Sequence, residues 1–232
     1  MIPKIIHYCW FGPAKLSALE LRCIASWKKH CPDYQFKLWN EENFDINYCG
    51  FTREAYRLGK YAFVSDVARL YALQQEGGVY LDTDMLLLKP LPQRFLDNSY
   101  FIGKETGFSL SAGIIGAIAQ SKAIETILDY YSKLIFTNNP PLIPEVLNAN
   151  LNQVSNEELQ DSLVLGNEYF YPLPYKLRKF HWKKFVKKET IGVHLWNASW
   201  QNKAEYSHID KLKYFISKYY VPQSFLKYAK DV

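Results

Sequence analysis

The sequence predicts an α/β domain built on a mixed, mostly parallel central sheet. Segments typical of strands alternate along the chain with segments typical of helices, beginning with an apolar stretch over residues 2–10. No internal repeat or low-complexity linker interrupts the 232 residues, and with 48% hydrophobic residues they can bury one core without disulfides. In such a sheet the ligand site is expected at the carboxyl ends of the strands.

The predicted elements follow one another in a regular order. The first strand ends in Phe11-Gly12-Pro13, a helix with helical spacing around Trp27 follows, and residues 34–39 alternate like a second strand. A helix predicted over 60–76 stops at Gly77-Gly78 and leads into a short strand at 79–81. After an apolar run at 85–88, further strands are predicted at 99–103 and 112–116, a helix at 121–136 and a loop rich in Pro and Asn at 137–144.

Composition and charge limit the cellular setting and the partners. The four cysteines, all within the first 49 residues, lack paired spacing and are expected to be reduced structural thiols. Residues 1–4 do not read as a signal peptide and no segment approaches the roughly 20 apolar residues of a membrane span, so we expect a cytoplasmic protein. The net charge of +5 is concentrated from residue 175 onward, where thirteen Lys and Arg face four Asp and Glu. That basic, aromatic region could hold a polyphosphate donor, an anionic membrane or nucleic acid, or be a solvated face.

The strongest chemical signal is the pair Asp82 and Asp84, with Thr83 between them, where an apolar strand opens into a loop. Carboxylate oxygens suit Mn²⁺ or Mg²⁺, and either ion could neutralise the charge on a departing nucleotide diphosphate. On the preceding helix, Asp66 and Arg69 share a face. They could form an intrahelical ion pair, or point into the crevice and hydrogen-bond sugar hydroxyls.

A second polar segment follows a predicted strand near residue 191. His194, Asn197 and Ser199 offer metal or phosphate ligands there, and Trp200 offers an indole N–H. At the end of the first strand, His7 and Trp10 could be core residues, although an exposed Trp10 could stack on a nucleotide base.

Three motifs, together with the segment 194–200, resemble those of glycosyltransferase family 32. That family includes yeast initiation-type mannosyltransferases and bacterial capsule-type transferases, and it is similar to the catalytic domains of large glucosylating toxins. The motifs are Ile2-Pro3-Lys4-Ile5-Ile6-His7-x-x-Trp10, Ala62-Phe63-Val64-Ser65-Asp66-x-x-Arg69 and Gly77-Gly78-Val79-Tyr80-Leu81-Asp82-x-Asp84.

The resemblance implies a GT-A fold over residues 1–232 with a basic aromatic tail at about 205–232. It also implies a Mn²⁺ or Mg²⁺ cofactor and transfer, with retention of configuration, of a hexose from a nucleotide sugar. A UDP-sugar is favoured, GDP-mannose is the alternative, and the acceptor is expected to be a glycan or lipid-linked molecule of bacterial surface polysaccharide synthesis. Nucleic acid is not an expected partner. Two departures, Ala112 in place of an Asn and Ile143-Pro144 in place of Gly-Pro, lie toward the acceptor side.

The resemblance also assigns roles to single residues. Trp10 would stack on the base and Trp200 would contact a phosphate. The candidate catalytic residues are Asp66, Arg69, Asp82 and Asp84. The candidate nucleotide-sugar residues are His7, Trp10, Ser65, Asp66, Arg69, Asp82, Thr83 and Trp200. The candidate metal ligands are Asp84, His194 and Ser199.

Two other classes of function fit part of the sequence. A phosphatase of the haloacid-dehalogenase type also uses a strand-terminal DxD, but in its first strand and followed by Thr or Val, unlike Asp84-Met85 here. A sugar-binding or membrane-surface module without enzymatic activity would use the basic tail and keep the carboxylates only as structure. Within that tail, residues 211–220 have the spacing of an amphipathic helix that could rest on an anionic membrane or pack on the domain.

Overall fold

The fold is built on a mixed β-sheet, described by a computed structural model that covers residues 1–107, 109–151 and 161–197. Within these residues a six-stranded sheet has the order β2-β1-β3-β6-β5-β7, and β4 pairs with β8 in a separate two-stranded sheet. The strands are β1 Ile5–Cys9, β2 Gln35–Trp39, β3 Gly78–Leu81, β4 Met85–Leu87, β5 Tyr100–Lys104, β6 Leu110–Ala117, β7 Ser162–Leu165 and β8 Gly192–His194.

Helices cover both faces of the sheet. They are α1 Ala18–His30, α2 Gly50–Arg57, α3 Tyr61–Glu76, α4 Gln93–Leu96, α5 Lys122–Lys133, α6 Ile143–Leu151 and α7 Asn167–Phe170. Two turns of 3₁₀-helix occupy Tyr175–Leu177 and Trp182–Phe185. None of the helices in the described ranges is long and apolar enough to cross a membrane.

The sheet is mixed and mostly parallel, as the sequence predicts. Strand β1 runs parallel to both β2 and β3, and β5 runs parallel to β7. Only β6 is antiparallel to its two neighbours, β3 and β5. The carboxyl ends of β1 and β3 therefore open at one edge of the sheet, where a ligand site is expected.

The core consists of two hydrophobic clusters that the sheet separates. Successive residues of β3 point to opposite faces of the sheet and so belong to different clusters. Tyr80 belongs to the cluster with α3 and α5, whereas Val79 and Leu81 belong to the cluster with α1 and α4. Trp27 of α1 lies in the second cluster, and its indole N–H donates to the carbonyl of Met85 at 2.6 Å. That hydrogen bond attaches β4 to α1.

The Gly77-Gly78 stop brings β3 close to β1. Both residues have positive φ, +63° and +116°, which a residue with a side chain adopts only with strain. A Cβ on Gly78 would lie 2.7 Å from the carbonyl oxygen of Ile5. Gly77 and Gly78 therefore end the helix and also allow two central strands, β1 and β3, to lie close together.

The structure departs from the sequence prediction in a few segments. Residues predicted as a loop up to position 144 include the start of α6, where Pro144 stands in the first turn, a position at which a missing N–H costs no helical hydrogen bond. Helix α2 was not predicted from the sequence, and β1 begins at Ile5 rather than at residue 2. The four cysteines are buried and free, which confirms the prediction of structural thiols.

Candidate functional site

A crevice of about 1060 Å³ opens at the carboxyl ends of β1 and β3. Its walls come from the residues after those strands, the first half of α3, the start of α6 and the segment after β8. Among the predicted site residues, those that line it are Trp10, Ser65, Asp66, Arg69, Asp82, Thr83, Asp84 and His194.

Arg69 joins the carboxylates of the crevice. Arg69 is 6% exposed, and its guanidinium donates to Asp66 Oδ1 at 2.8 Å and to Asp82 Oδ1 at 3.0 Å. It also donates to the carbonyls of Ala112 and Ser65 at 2.9 and 3.2 Å. The Asp66–Arg69 ion pair therefore exists, and both of its members also line the crevice.

The two carboxylates that Arg69 binds have pKa values shifted in opposite directions. Burial raises the pKa of Asp66 to about 6, against the opposing effect of Arg69. Burial acts on Asp82 in the same direction, but the charges of Arg69 and His194 and a hydrogen bond from Tyr80 bring its pKa below the usual value. The Tyr80 hydroxyl donates to Asp82 Oδ1 at 3.0 Å. Asp82 is therefore a carboxylate at neutral pH.

Asp82, Asp84 and His194 form a cluster whose ligand atoms all lie within 4.8 Å of one another. The antiparallel pairing of β4 with β8 places His194 opposite Met85, next to the two aspartates. His194 Nε2 lies 2.9 Å from Asp84 Oδ1 and 3.6 Å from Asp82 Oδ2. Burial lowers the pKa of His194, but the two carboxylates outweigh it and raise that pKa to about 10.

The geometry of this cluster fits a divalent ion. Two adjacent ligands of an octahedral ion at ~2.1 Å lie about 3 Å apart, close to the 2.9 Å between His194 Nε2 and Asp84 Oδ1. Two carboxylates with one imidazole suit Mn²⁺, while Mg²⁺ favours oxygen ligands alone. A ligand set of this chemistry fits the Mn²⁺ expected from the sequence.

The segment after β8 holds Asp84 in place. The backbone N–H of Asn197 donates to Asp84 Oδ2 at 2.8 Å, and the N–H of Leu195 donates to the Asp84 carbonyl at 3.0 Å. The side-chain amide of Asn197 donates to the buried carboxylate of Glu20 on α1. Asn197 therefore positions the DxD loop through its backbone, and its side-chain N–H donors face Glu20 rather than a phosphate.

His7 does not reach the crevice, which corrects the expectation that it binds the donor. The side chain is fully buried beneath the sheet edge, where Nδ1 accepts from the Trp39 indole at 3.0 Å and Nε2 contacts the carbonyl of Gly77 at 2.7 Å. Burial lowers the pKa of His7, so the neutral ring is favoured. With both ring nitrogens in use, His7 acts as a structural link between β1, β2 and the end of α3.

Trp10, Ser65 and Thr83 remain candidates by position. The Trp10 indole N–H donates to the Ala14 carbonyl at 2.6 Å, which fixes the ring at the crevice wall. Ser65 donates its hydroxyl to the Tyr61 carbonyl, one helical turn earlier. Ser199, Trp200 and the tail at 205–232 lie outside the described residues.

Several residues that line the crevice were not predicted from the sequence, among them Glu105, Tyr175 and Trp196. Glu105, directly after β5, lines the crevice with a pKa raised by burial. A carboxylate directly after a strand is the sequence signal that could have identified Glu105 as a site residue. Tyr175 and Trp196 line the crevice as well, with ring centroids 5.5 Å apart, and Trp196 lies edge-on to His194 with centroids 4.0 Å apart. No sequence pattern brought Tyr175 and Trp196 together, since that contact depends on the tertiary fold.

Comparison with known proteins finds similarity to glycosyltransferases. Residues 17–102 match the family model described as the glycosyltransferase sugar-binding region containing the DXD motif. The chain is 24% identical over 147 residues to alpha-1,4-N-acetylglucosaminyltransferase of Homo sapiens, covering 57% of this chain and 42% of that protein. It is 25% identical over 157 residues to lactosylceramide 4-alpha-galactosyltransferase of Homo sapiens, covering 60% of this chain and 42% of that protein.

A further relative and one solved structure extend the comparison. Subversion of eukaryotic traffic protein A of Legionella pneumophila is 28% identical over 118 residues, 39% of this chain and 18% of that protein. The chain thus spans less than half the length of these three relatives. The PaToxG glycosyltransferase has the same fold, with a TM-score of 0.54, 20% identity and coverage of 68% of this chain and 73% of that one. The protein therefore has the GT-A fold of glycosyltransferases, and its residues 17–102 are similar to their DXD-containing sugar-binding region.

Proposed function

We propose that this protein is a metal-dependent glycosyltransferase that moves a hexose from a nucleotide sugar to a hydroxyl group of a glycan or glycolipid. One observation carries the proposal. The cluster of Asp82, Asp84 and His194 lies in the same crevice as the Asp66–Arg69 pair, so a site for a cation and its diphosphate adjoins a site for sugar hydroxyls.

The cation site would hold the diphosphate of the donor. Asp84 and His194 are its ligands in this proposal, with Asp82 beside them, and Ser199 stays a predicted ligand from the sequence. Mn²⁺ bound here would neutralise the charge that develops on the departing nucleotide diphosphate. Thr83, between the two aspartates, faces the same volume.

The sugar site would use the buried polar groups of α3. Asp66 accepts hydrogen bonds from sugar hydroxyls through the carboxylate oxygen that Arg69 leaves available, and Arg69 holds both carboxylates in position. A buried hydrogen-bond acceptor stays unpaired unless the sugar carries a hydroxyl in the right position. Such a group therefore discriminates strongly between sugars. Ser65 and Trp10 would contact the remainder of the donor, with the indole against the base.

Relatives support the donor class and the stereochemistry. The two Homo sapiens relatives are named for transfer in α linkage of N-acetylglucosamine and of galactose. Both sugars are carried by UDP in an α linkage, so an α product requires retention of configuration. We therefore favour a UDP-sugar over GDP-mannose.

The acceptor is proposed only as a class. One relative is named for lactosylceramide, a glycolipid. Since the relatives come from Homo sapiens and Legionella pneumophila, they do not select bacterial surface polysaccharide as the acceptor. Glu105, Tyr175 and Trp196 line the crevice and offer a carboxylate and two aromatic faces to an incoming sugar.

The test is hydrolysis of a panel of UDP- and GDP-sugars by the full chain with Mn²⁺ or with EDTA. We expect one donor to release its nucleotide, and we expect EDTA and Asp84→Asn to abolish the release. Asp129→Asn, an exposed residue on α5, is the matched control and should retain full activity. If no donor is hydrolysed or bound in a metal-dependent way, the transferase proposal fails and a phosphatase or a binding module takes its place.

A further inference from the structure

A basic segment, residues 175–188, adjoins the crevice and is called here the basic loop. It carries seven Lys and Arg and no Asp or Glu. Two of its apolar side chains are exposed in the same stretch, Phe180 at 59% and Leu177 at 37%. Two short 3₁₀ turns give the loop a defined backbone.

The basic loop is attached to the wall of the crevice at its first residue. Tyr175 lines the crevice and packs against Trp196, whose indole N–H donates to the Leu173 carbonyl at 2.7 Å. Trp196 in turn contacts His194, a proposed metal ligand. The loop therefore begins next to the proposed site of transfer.

The last residues of the basic loop are attached to the fold as well. The Lys188 carbonyl accepts a hydrogen bond from Lys89, which adds another positive charge beside the loop. Thr190, fully buried, donates to the Glu168 carbonyl at 2.8 Å just before β8. Anchored at both ends, the loop presents its lysines on a fixed part of the surface.

The chemistry of the basic loop matches that of an anionic lipid surface. Each Lys near such a surface is attracted to its negative charge, and exposed Phe and Leu side chains are stabilised by entering the boundary between headgroups and acyl chains. A nucleic acid or an acidic glycan would engage the lysines but would leave Phe180 and Leu177 in water. The combination of charge and exposed apolar side chains is what distinguishes a membrane partner.

We propose that the basic loop docks this protein on an anionic phospholipid bilayer and brings the mouth of the crevice to the membrane surface. An acceptor embedded in the bilayer would then face the crevice. Only this consequence rests on the proposed function. The docking itself requires no sugar donor. It also concerns different residues from the predicted amphipathic tail at 211–220.

The test is sedimentation of the full chain with vesicles of phosphatidylcholine alone or mixed with phosphatidylglycerol. The first variant is Lys184→Glu, Lys187→Glu and Lys188→Glu together, three exposed residues of the loop. We expect the native chain to bind only the anionic vesicles, and the triple variant to lose at least about tenfold in affinity. If the triple variant binds like the native chain, the loop does not dock and the tail becomes the source of any binding.

The matched control reverses three exposed lysines elsewhere, Lys28, Lys29 and Lys133, at the ends of α1 and α5. It has the same net charge as the loop variant. We expect it to bind anionic vesicles severalfold more tightly than the loop variant does. Equal loss in the two variants would mean that only the overall charge matters, which would overturn the proposal.

A second variant, Phe180→Ser, separates a membrane from a soluble polyanion. We expect it to weaken vesicle binding severalfold while binding to dextran sulfate stays unchanged. No effect of this substitution on vesicle binding would identify the loop as a polyanion-binding surface and reject the membrane. Hydrolysis of the nucleotide sugar in solution should be unchanged in both loop variants, so failure of docking and failure of the proposed function give different results.

Discussion

At the residue scale, the crevice depends on a small number of buried polar groups that satisfy one another. Arg69 is the centre of this arrangement, because its guanidinium contacts two carboxylates and two backbone carbonyls. A buried charge is tolerated only when it is paired in this way. The same pairing keeps Asp82 ionised in a site where burial alone would favour the neutral acid.

Replacing Arg69 by Met should destabilise the fold substantially. The substitution preserves much of the side-chain volume but leaves Asp66 and Asp82 without their partner, and breaking a buried pair costs about 3–5 kcal/mol. Urea unfolding followed by circular dichroism measures the loss. Arg57→Met is the control, since Arg57 and its partner Glu54 are exposed, and it should have a far smaller effect. Equal stability of the Arg69 and Arg57 variants would contradict the account.

Gly113 provides the space that Asp82 occupies. A Cβ at this position would lie 2.9 Å from the Tyr171 hydroxyl and 3.1 Å from Asp82 Oδ2. We expect Gly113→Ala to move that carboxylate and to reduce Mn²⁺ affinity by about tenfold, a loss of about 1.4 kcal/mol. Gly50→Ala at the start of α2, where a Cβ meets no close neighbour, should leave Mn²⁺ affinity unchanged. Calorimetric titration of both variants with Mn²⁺ makes the comparison.

Metal affinity should depend on pH through His194. Its pKa is raised from 6.5 to about 10 in the folded protein without metal, so the ring is protonated at neutral pH. The proton must leave before the nitrogen can bind a cation. Mn²⁺ affinity should therefore rise about tenfold between pH 7 and pH 8 and level off above the pKa. A Mn²⁺ affinity that is equal at the two pH values would show that His194 is not a ligand.

The sequence predicted some of these residues and not others, for physical reasons. Asp82 and Asp84 follow a recognisable buried strand, so their position at the crevice could be inferred. His7 is predicted near the end of the first strand, but it lies in the middle of β1 with its side chain on the buried side, which alternation alone does not determine. Glu105 and Trp196 were missed because their place in the crevice depends on contacts between segments distant in sequence.

At the scale of elements, the short pairing of β4 with β8 builds the metal site. The pairing places His194 opposite Met85, directly after Asp84. The register of the two strands therefore determines that the His194 side chain lies next to Asp84. Because successive residues of a strand point to opposite faces, a shift of one residue would turn His194 away. Trp27 supports this pairing from α1 through its hydrogen bond to Met85.

The connection from α3 to β3 offers a test at the same scale. Gly78→Ala combines a positive φ with a contact of 2.7 Å to the Ile5 carbonyl, so we expect a loss of about 2 kcal/mol or more. Gly59→Ala also has a positive φ, but no atom lies within 4 Å of its Cβ, and it should lose only about 1 kcal/mol. Denaturant unfolding of the two variants separates backbone strain from the steric contact. Equal losses of stability in the two variants would mean that the contact between Gly78 and the Ile5 carbonyl does not limit the side chain at this position.

Long periodic elements were predictable, whereas short ones were not. Helix α3, with sixteen residues and the Gly77 end signal, agrees closely with its prediction. Helix α2 has only eight residues, and its stability comes from packing Phe51 and Ala55 into the core rather than from a strong local pattern. Strands such as β8, with three residues, become strands only through a partner far away in the sequence.

At the scale of the whole molecule, the charges are arranged around one crevice. Acidic residues that could bind a cation line it, and the basic loop begins at its wall. The sequence predicted the mixed sheet and the edge at which the crevice opens, because alternating strands and helices follow general rules of connection. It could not predict that β6 inserts antiparallel between β3 and β5, since that order depends on pairing between distant segments.

The central claim is that Asp84 and His194, with Asp82 beside them, hold a divalent cation that binds the diphosphate of a nucleotide. Calorimetric titration of the full chain with Mn²⁺, with and without UDP or GDP, tests it most directly. We predict one Mn²⁺ site that the preferred nucleotide tightens, at least tenfold weaker in Asp84→Asn and unchanged in Asp129→Asn. Equal Mn²⁺ affinity in the native chain and Asp84→Asn, or no coupling between Mn²⁺ and either nucleotide, would contradict the account.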